Sequence, residues 1–268
     1  YIAESQDLQH LEYGTSGAKT TTVSFWVKAA LTGTYAISIY QYDGSQIIGG
    51  TYTINTANTW EKKSFTFAGN VSQAIANDNT AGLQINFMLM VGSSNKGTAN
   101  SSWGAFADAK LGHGHTAAWG TNTSHDFWLS GVQWELGSVA TPFEHRSFGE
   151  ELRRCQRYYE KSNNYSTQPG STSADGANLS GGAAGSDTTA YISGHTFYKV
   201  EKRAVPTVTL YDLAGTSGKV SSTTRGISTN HAQSVVTNQG GTTGVSVERN
   251  TGSSNSNLVY HFTAESEL

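Results

Sequence analysis

The chain has 268 residues, of which 36% are hydrophobic and 14% charged, and its formal net charge is −3. This length allows two domains of modest size, and the weak acidity gives no reason to expect nucleic acid or an anionic membrane as a partner. The single cysteine, Cys155, excludes a disulfide within the chain.

The start of the chain indicates that more sequence precedes it. Tyr1 is not an initiator residue, and no signal peptide is visible after it. We therefore expect the chain to begin inside a longer polypeptide. No apolar run approaches the roughly 18 residues of a membrane-spanning helix, so no membrane insertion is expected.

Alternation of apolar and polar residues with a period of two predicts β-strands over the first half of the chain. Val23, Phe25 and Val27, for example, alternate with polar or amphipathic neighbours. Turn-rich segments separate the strands, and no convincing helix precedes Ser147, so residues 1–143 are predicted to form an antiparallel β-sandwich, specifically a jelly roll. The predicted strands are 23–28, 35–42, 65–67, 83–89 and Phe127–Leu136.

Charged residues concentrate in residues 144–161, which are predicted to form a connecting helix. Ser147 and Glu150 have the spacing of a capping box, so the helix should begin near Phe148. An apolar stripe along the helix is a candidate oligomer contact. Alternatively, the helix packs on its own chain through this stripe, and the Cys155 thiol is a small core residue. The stripe consists of Phe148, Leu152, Cys155 and Tyr159.

Residues 162–268 are predicted to form a second, smaller β-sandwich. Residues 162–189 are rich in Ser, Gly, Ala and Thr, which is typical of surface loops or a linker. Strands are predicted at 197–202, 207–211, 245–248 and 258–263, with Leu258, Tyr260 and Phe262 on one face. These strands supply few apolar residues, so the predicted core is thin. A thin core is expected either where several chains stabilise one another or in an ordinary small sandwich with long loops.

No constellation of residues indicates an enzyme. Glycoside hydrolysis needs two carboxylates facing each other across the sugar, and Asp108, Asp126 and Glu135 are the candidates in the first domain, with ordinary solvated acids as the alternative. His145 and Cys155 could serve as base and nucleophile, but they lie on either side of a helix start.

Aromatic residues on otherwise polar surfaces are candidates for sugar binding, because their rings pack against the apolar faces of pyranoses. Burial as packing residues is the alternative for each of them. The candidates are Trp26, Tyr40, Tyr42, Trp103 and Trp119. Polar loops within residues 221–252 are expected to contribute to recognition.

No cofactor is expected, but two structural metal sites are conceivable. His113 and His115, separated by one glycine, would supply six imidazoles in a trimer and an octahedral site for iron or a similar ion. A flexible polar loop is the alternative. Glu4 or Asp126 could instead help to bind calcium.

Residues 127–159 carry the motifs FWLSGVQWELG, ATPFEHRS, EL and CQRYY. This succession resembles a segment common in tail-fibre and other virion proteins of bacteriophages. Upstream, LEYGTSGAKTTTVSFWVK and NTWEKK are similar to the jelly-roll module, itself similar to carbohydrate-binding modules, that precedes this segment in such proteins. Downstream, KRA, PTVTLY and FTA are similar to their terminal β domain.

The resemblance implies an extracellular virion component, a homotrimeric fibre that presents a binding surface to bacterial cell-surface polysaccharide and joins other tail proteins through the preceding region. It carries no catalytic motif. Two alternatives stay open, namely a purely structural capsid or tail-fibre or adaptor protein, and the binding module of a secreted polysaccharide-degrading enzyme. A depolymerase would show the repeat period of a β-helix, which is not found here.

Overall fold

A computed structural model describes residues 1–180, 191–224, 227–234, 236–250 and 257–268. The chain divides into two compact units, residues 1–145 and residues 146–267. Most of the charged segment predicted as a separate connector therefore belongs to the second unit. The polar loops expected to aid recognition within residues 221–252 lie partly outside the described residues.

The first unit is a sandwich of two antiparallel sheets. Its sheets have the strand orders 1-6-3-4-7 and 5-2-8, so strands distant in sequence pair repeatedly, as in a jelly roll. This confirms the predicted fold class. The strands are β1 (Ile2–Glu4), β2 (Thr21–Ala29), β3 (Gly33–Gln41), β4 (Gln46–Ile54), β5 (Glu61–Phe67), β6 (Ala81–Phe87), β7 (Gly104–Ala105) and β8 (Phe127–Leu136).

The core of the first unit follows from the alternation along β2 and β3. Val23, Phe25 and Val27 on β2 are fully buried, as are Tyr35 and Ile37 on β3. Successive side chains of a strand point to opposite faces, so the residues between them on β2 face outward. This face carries the candidate site.

Two expectations for the first unit were wrong. A seven-residue 3-10 helix, Ser5–Leu11, lies between β1 and β2, and it buries Leu8 and Leu11. Strand β4 was missed because Gly49 and Gly50 interrupt its apolar pattern. The remaining 3-10 turns are Ser93–Asn95, Asp108–Lys110 and Trp119–Thr121.

The second unit contains one α-helix and strands in two sheets among its described residues. Strand β17 is central to the larger sheet, pairing with β9, β10, β12 and β13, while β14 pairs with β13 and the smaller sheet has the order β11-β16-β15. The elements are α1 (Phe148–Gln156), β9 (Tyr159–Lys161), β10 (Asn178–Ser180), β11 (Tyr191–Phe197), β12 (Thr207–Tyr211), β13 (Lys219–Thr224), β14 (Ile227–Ser234), β15 (Val236–Gly240), β16 (Gly244–Asn250) and β17 (Asn257–Glu265).

The packing of the second unit confirms one predicted face and corrects one strand. Leu258, Tyr260 and Phe262 on β17 are buried together, as expected. The strand predicted at 197–202 was wrong, because β11 ends at Phe197 and the chain then buries Lys202. Part of the predicted loop region, residues 181–189, lies outside the described residues.

Helix α1 begins where the capping pattern predicted. The Ser147 hydroxyl accepts a hydrogen bond from the Glu150 N–H, but the Glu150 carboxylate lies 3.1 Å from Arg154. The interpretation of Cys155 as a core residue was wrong, since this residue is exposed. Among the described residues, no helix has both the length and the apolar character needed to cross a membrane.

Three residues of the predicted stripe lie on α1, and one does not. Phe148 is 74% exposed and Leu152 is half-buried. The helix ends at Gln156, so Tyr159 follows on strand β9. The stripe is therefore largely open to solvent within one chain, and its role as an oligomer contact stays a prediction.

Candidate functional site

Two exposed tryptophans flank a lysine on the outer face of the β5–β2–β8 sheet. Lys28 on β2 pairs in register with Trp128 on β8, and its Nζ lies 4.1 Å from the centroid of that ring. The same Nζ lies 5.6 Å from the Trp60 ring on the other side. Trp60 is 43% exposed and Trp128 is 38% exposed. The three side chains form a row across the sheet, open to solvent and favourable for cation–π attraction.

A second row lies beside the first. Trp26 is two residues before Lys28 on β2 and is therefore on the same face. Its cross-strand partners are Lys62 on β5 and Ser130 on β8, and its indole is 43% exposed. We call the surface formed by Trp26, Lys28, Trp60, Lys62 and Trp128 the tryptophan face.

A β-bulge shapes the edge of the tryptophan face. Strand β8 contains one more residue than β2 between two paired positions, and Gly131 in this bulge has φ +57°. A Cβ at Gly131 would lie 3.3 Å from Cδ1 of Trp26 and 3.8 Å from Cδ2 of Phe143. Glycine therefore suits both the left-handed backbone and the close approach of Trp26.

Residues 137–144, here called the strap, are anchored to β8 of the same sheet. The Thr141 hydroxyl donates to Oε2 of Glu135 at 2.6 Å, and the Glu144 N–H donates to Oε1 of Gln133 at 2.7 Å. The Thr22 hydroxyl donates to the Gly137 carbonyl. These contacts hold the TPFE motif, residues 141–144, against the sheet. The Thr22 side chain is buried there.

The strap also assigns Glu135 a structural role. The hydrogen bond from Thr141 and a weaker contribution from Gln133 outweigh desolvation and lower the pKa of this carboxyl. Asp126 lies nine residues earlier, at the opposite end of β8, about 30 Å away at ~3.3 Å per strand residue. These two carboxylates therefore do not face each other across a sugar, as glycoside hydrolysis would require. Asp108 lies in a separate, exposed 3-10 turn.

Tyr40 and Tyr42 do not belong to the tryptophan face. They lie on or next to β3 in the five-stranded sheet, where their rings contact each other at 5.0 Å between centroids and Tyr40 also contacts Phe106. The Tyr42 hydroxyl donates to Gln84, and the Tyr40 hydroxyl lies 3.0 Å from the Ser45 hydroxyl. The predicted aromatic set is therefore divided between the two sheets.

Trp103 and Trp119 lie away from the tryptophan face, next to β7 and in the loop before β8. The Trp103 indole N–H donates to the Ala68 carbonyl at 2.6 Å, and its ring meets Tyr13 edge-on. Trp119 is half-buried in a 3-10 turn, where its backbone carbonyl accepts a hydrogen bond from the His125 ring. Burial was the alternative stated for these residues, and it applies to Trp103, whose ring packs against the core of the first unit.

A neutral cleft of about 500 Å³ opens between β4 and β5. The Phe65 ring lies so close to Gly50 that any side chain there would overlap it. Nδ1 of His113 is buried beside the cleft without a hydrogen-bond partner in the described structure. The cleft offers hydroxyl and amide groups from Thr51 and Asn100 but no carboxylate.

The structure contradicts the histidine-based metal site. His115 is 2% exposed, its Nδ1 accepts from the Ala36 N–H at 3.1 Å, and its Nε2 donates to the Ala117 carbonyl at 2.6 Å. Burial lowers the pKa of this imidazole, and both ring nitrogens are already used. No group of three or more His, Cys, Asp or Glu side chains in the described ranges is placed to hold a metal. Glu4, one of the two proposed calcium ligands, is buried and accepts from the Gln6 amide.

Sequence reasoning identified Trp26 but missed Lys28, Trp60, Lys62 and Trp128 as its neighbours. The sequence signal for Trp128 was the alternation along β8, because Trp128 and Ser130 lie on the opposite face of the strand from Phe127. Trp60 lies just outside a strand, and only the sheet register places it beside Lys28.

Comparisons with known proteins identify no family for this chain. No protein-family model matches it, and no curated protein matches it. Two solved structures of discoidin II from Dictyostelium discoideum show a remote similarity. The recombinant form has 13% identity and a TM-score of 0.21, covering 93% of this chain and 74% of that one. The wild-type form has 12% identity and a TM-score of 0.22, covering 93% and 73%. At such low values the similarity carries no information about function.

Proposed function

We propose that the first unit is a non-catalytic carbohydrate-binding module and that the tryptophan face is its ligand surface. The observation that carries the proposal is the position of Lys28 between the exposed rings of Trp60 and Trp128. Indole rings are large apolar surfaces whose exposure to water costs free energy, and they pack well against the C–H faces of pyranose rings. An ammonium group among them can hydrogen-bond to the oxygens of a sugar.

We further propose that the chain is part of a bacteriophage appendage that recognises bacterial surface polysaccharide. The resemblance of residues 127–159 to virion proteins motivates this proposal, and this segment includes β8, the strap and α1. Exposed Phe148 and Cys155 on α1 offer a surface through which copies of the chain could associate. Three weak sites on one trimer would gain apparent affinity by factors of roughly 10² or more through avidity.

The proposal is tested by light scattering of the purified chain with and without envelope polysaccharides from a panel of bacteria. We expect binding to at least one polysaccharide, and we expect Trp60→Ala with Trp128→Ala to abolish it. Tyr42→Ala is the matched control, because it removes an exposed ring from the other sheet. Equal binding by the double variant would show that the tryptophan face is not the ligand surface.

The mass of the free chain distinguishes the alternatives. A trimer that binds polysaccharide supports a receptor-binding fibre, whereas a monomer that binds favours the module of a secreted enzyme. A trimer that binds none of the polysaccharides supports a purely structural appendage.

A further inference from the structure

We infer that the ligand of the tryptophan face is an acidic polysaccharide, one whose carboxylate groups are held by Lys28 and Lys62 while its sugar rings pack on the indoles. This inference rests on the proposed function and specifies the chemical class of its ligand. It is drawn from how the lysines of the first unit are used.

Residues 1–145 are described throughout and contain six lysines. Four of them have an acceptor within the chain. Lys19 and Lys63 pair with Glu12 and Glu61, and Lys96 and Lys110 donate to backbone carbonyls; Lys28 and Lys62 form neither an ion pair nor a hydrogen bond within this unit. Both of the lysines without an acceptor therefore lie on the tryptophan face.

The surroundings of the two ammonium groups contain little that would compete for them. The cross-strand partners on this part of the sheet are Trp26, Trp128 and Ser130. Glu135, whose pKa Lys62 helps to lower, is already engaged by Thr141 and Gln133. The five residues of the tryptophan face include two lysines and no acid, in a chain with a net charge of −3.

Lys28 and Lys62 are close neighbours on the surface of the sheet. Lys62 is directly opposite Trp26, and Lys28 is two residues further along β2. The two are therefore diagonal neighbours on adjacent strands, with Cα atoms roughly 7–8 Å apart. Lys28 is half-buried between two rings, so its freedom is reduced before any ligand arrives. Uronic acid residues combine an apolar ring face with a carboxylate, which matches both features.

The experiment compares acidic polysaccharides with the same polymers after their carboxyl groups have been reduced to alcohols. Polygalacturonate, alginate and hyaluronan provide three linkages, and binding of the full chain is measured by affinity electrophoresis at low and high salt. We expect binding to at least one acidic polymer, at least about tenfold weaker binding to its reduced form, and a loss of affinity at high salt because the charges are exposed.

Matched variants locate the effect. Lys28→Met with Lys62→Met should weaken binding to the acidic polymer at least about tenfold more than it weakens binding to the reduced polymer. Lys19→Met removes one positive charge away from the face and should have no effect, since its exposed ion pair contributes little to stability.

Three outcomes would overturn the inference. Equal, tryptophan-dependent binding to the acidic and reduced polymers would refute the acidic ligand while the proposed carbohydrate binding stands. Binding that survives loss of Trp60 and Trp128 would refute the site, and with it the function proposed for this face. A fall in solution mass on replacing these tryptophans would show that a second copy of the chain occupies the face.

Discussion

The Nζ of Lys202 lies 2.7 Å from Oε2 of Glu160, and both side chains are excluded from solvent inside the second unit. The same ammonium donates to the Gln156 carbonyl and lies 5.0 Å from the centroid of the Tyr198 ring. Glu160 also accepts hydrogen bonds from the Lys199 N–H. The pair thus joins the end of α1, β9 and the segment after β11.

Removing one partner of this buried pair should destabilise the second unit. Lys202→Met leaves the Glu160 carboxylate buried without its cation, which should cost ~3–5 kcal/mol. All six tryptophans lie within residues 26–134, so tryptophan fluorescence reports the first unit and circular dichroism reports both. In urea, we expect the variant to shift a dichroism transition and leave the fluorescence transition in place.

A double variant supplies the control for this prediction. Lys202→Met with Glu160→Gln removes both charges and retains an oxygen that can accept from Lys199, so part of the lost stability should return. If Lys202→Met alone leaves the dichroism transition unchanged, the pair does not hold the unit together.

Glu61 should make the first unit sensitive to acid. Desolvation raises the pKa of this carboxyl, but hydrogen bonds from Lys63 and the N–H groups of Thr56 and Asn55 outweigh it and lower the pKa from 4.5 to about 2. A carboxyl whose pKa is lowered by folding stabilises the folded state at pH values above its unfolded-state pKa. This stabilisation is lost as the pH falls through the folded-state pKa. Stability should therefore decline between pH 4.5 and about 2.

Tryptophan-detected unfolding across this range checks the prediction. Glu61→Gln should flatten the decline, and Glu12→Gln, which alters an exposed ion pair, should leave it as in the parent. A decline of unchanged slope in Glu61→Gln would assign the acid sensitivity to other groups.

Gly50 should tolerate no side chain. A Cβ at this position would overlap the Phe65 ring, so Gly50→Ala should displace the ring and destabilise the first unit by ~1–3 kcal/mol. Gly97→Ala is the control, since nothing lies within 4 Å of a Cβ there. Urea unfolding followed by tryptophan fluorescence measures both, and equal midpoints would contradict the close packing of Phe65 on β4.

The stripe on α1 should hold copies of the chain together. Phe148→Asp places a charge on a side chain that is 74% exposed, so it should reduce the mass in solution from trimer to monomer without unfolding the chain. Leu152→Asp should do the same, and Arg153→Ala, outside the stripe, should keep the parental mass. Multi-angle light scattering measures the mass of each variant in solution. A Phe148→Asp variant of unchanged mass would exclude α1 as the oligomer contact.

The sequence alone determined the features that depend on near neighbours in the chain. The alternation of Val23, Phe25 and Val27 predicted a half-buried strand, because side-chain direction in a strand has a period of two. The Ser147 hydroxyl predicted the start of α1, because a cap acts only on the adjacent turn. Leu258, Tyr260 and Phe262 were placed on one buried face for the same local reason.

Only the tertiary structure decided which distant residues meet. Trp26 and Tyr40 have similar local patterns, but the strand order places them in different sheets. Lys28 meets Trp60 and Trp128 because of the β2–β5 and β2–β8 registers, and a slip of one residue would turn any of these side chains to the other face. Lys202 lies in a segment that the sequence predicts to be a strand. Its burial depends on an ion pair with Glu160, a residue distant from it in the sequence. Partners of this kind are set by the packing of sheets, which no local pattern encodes.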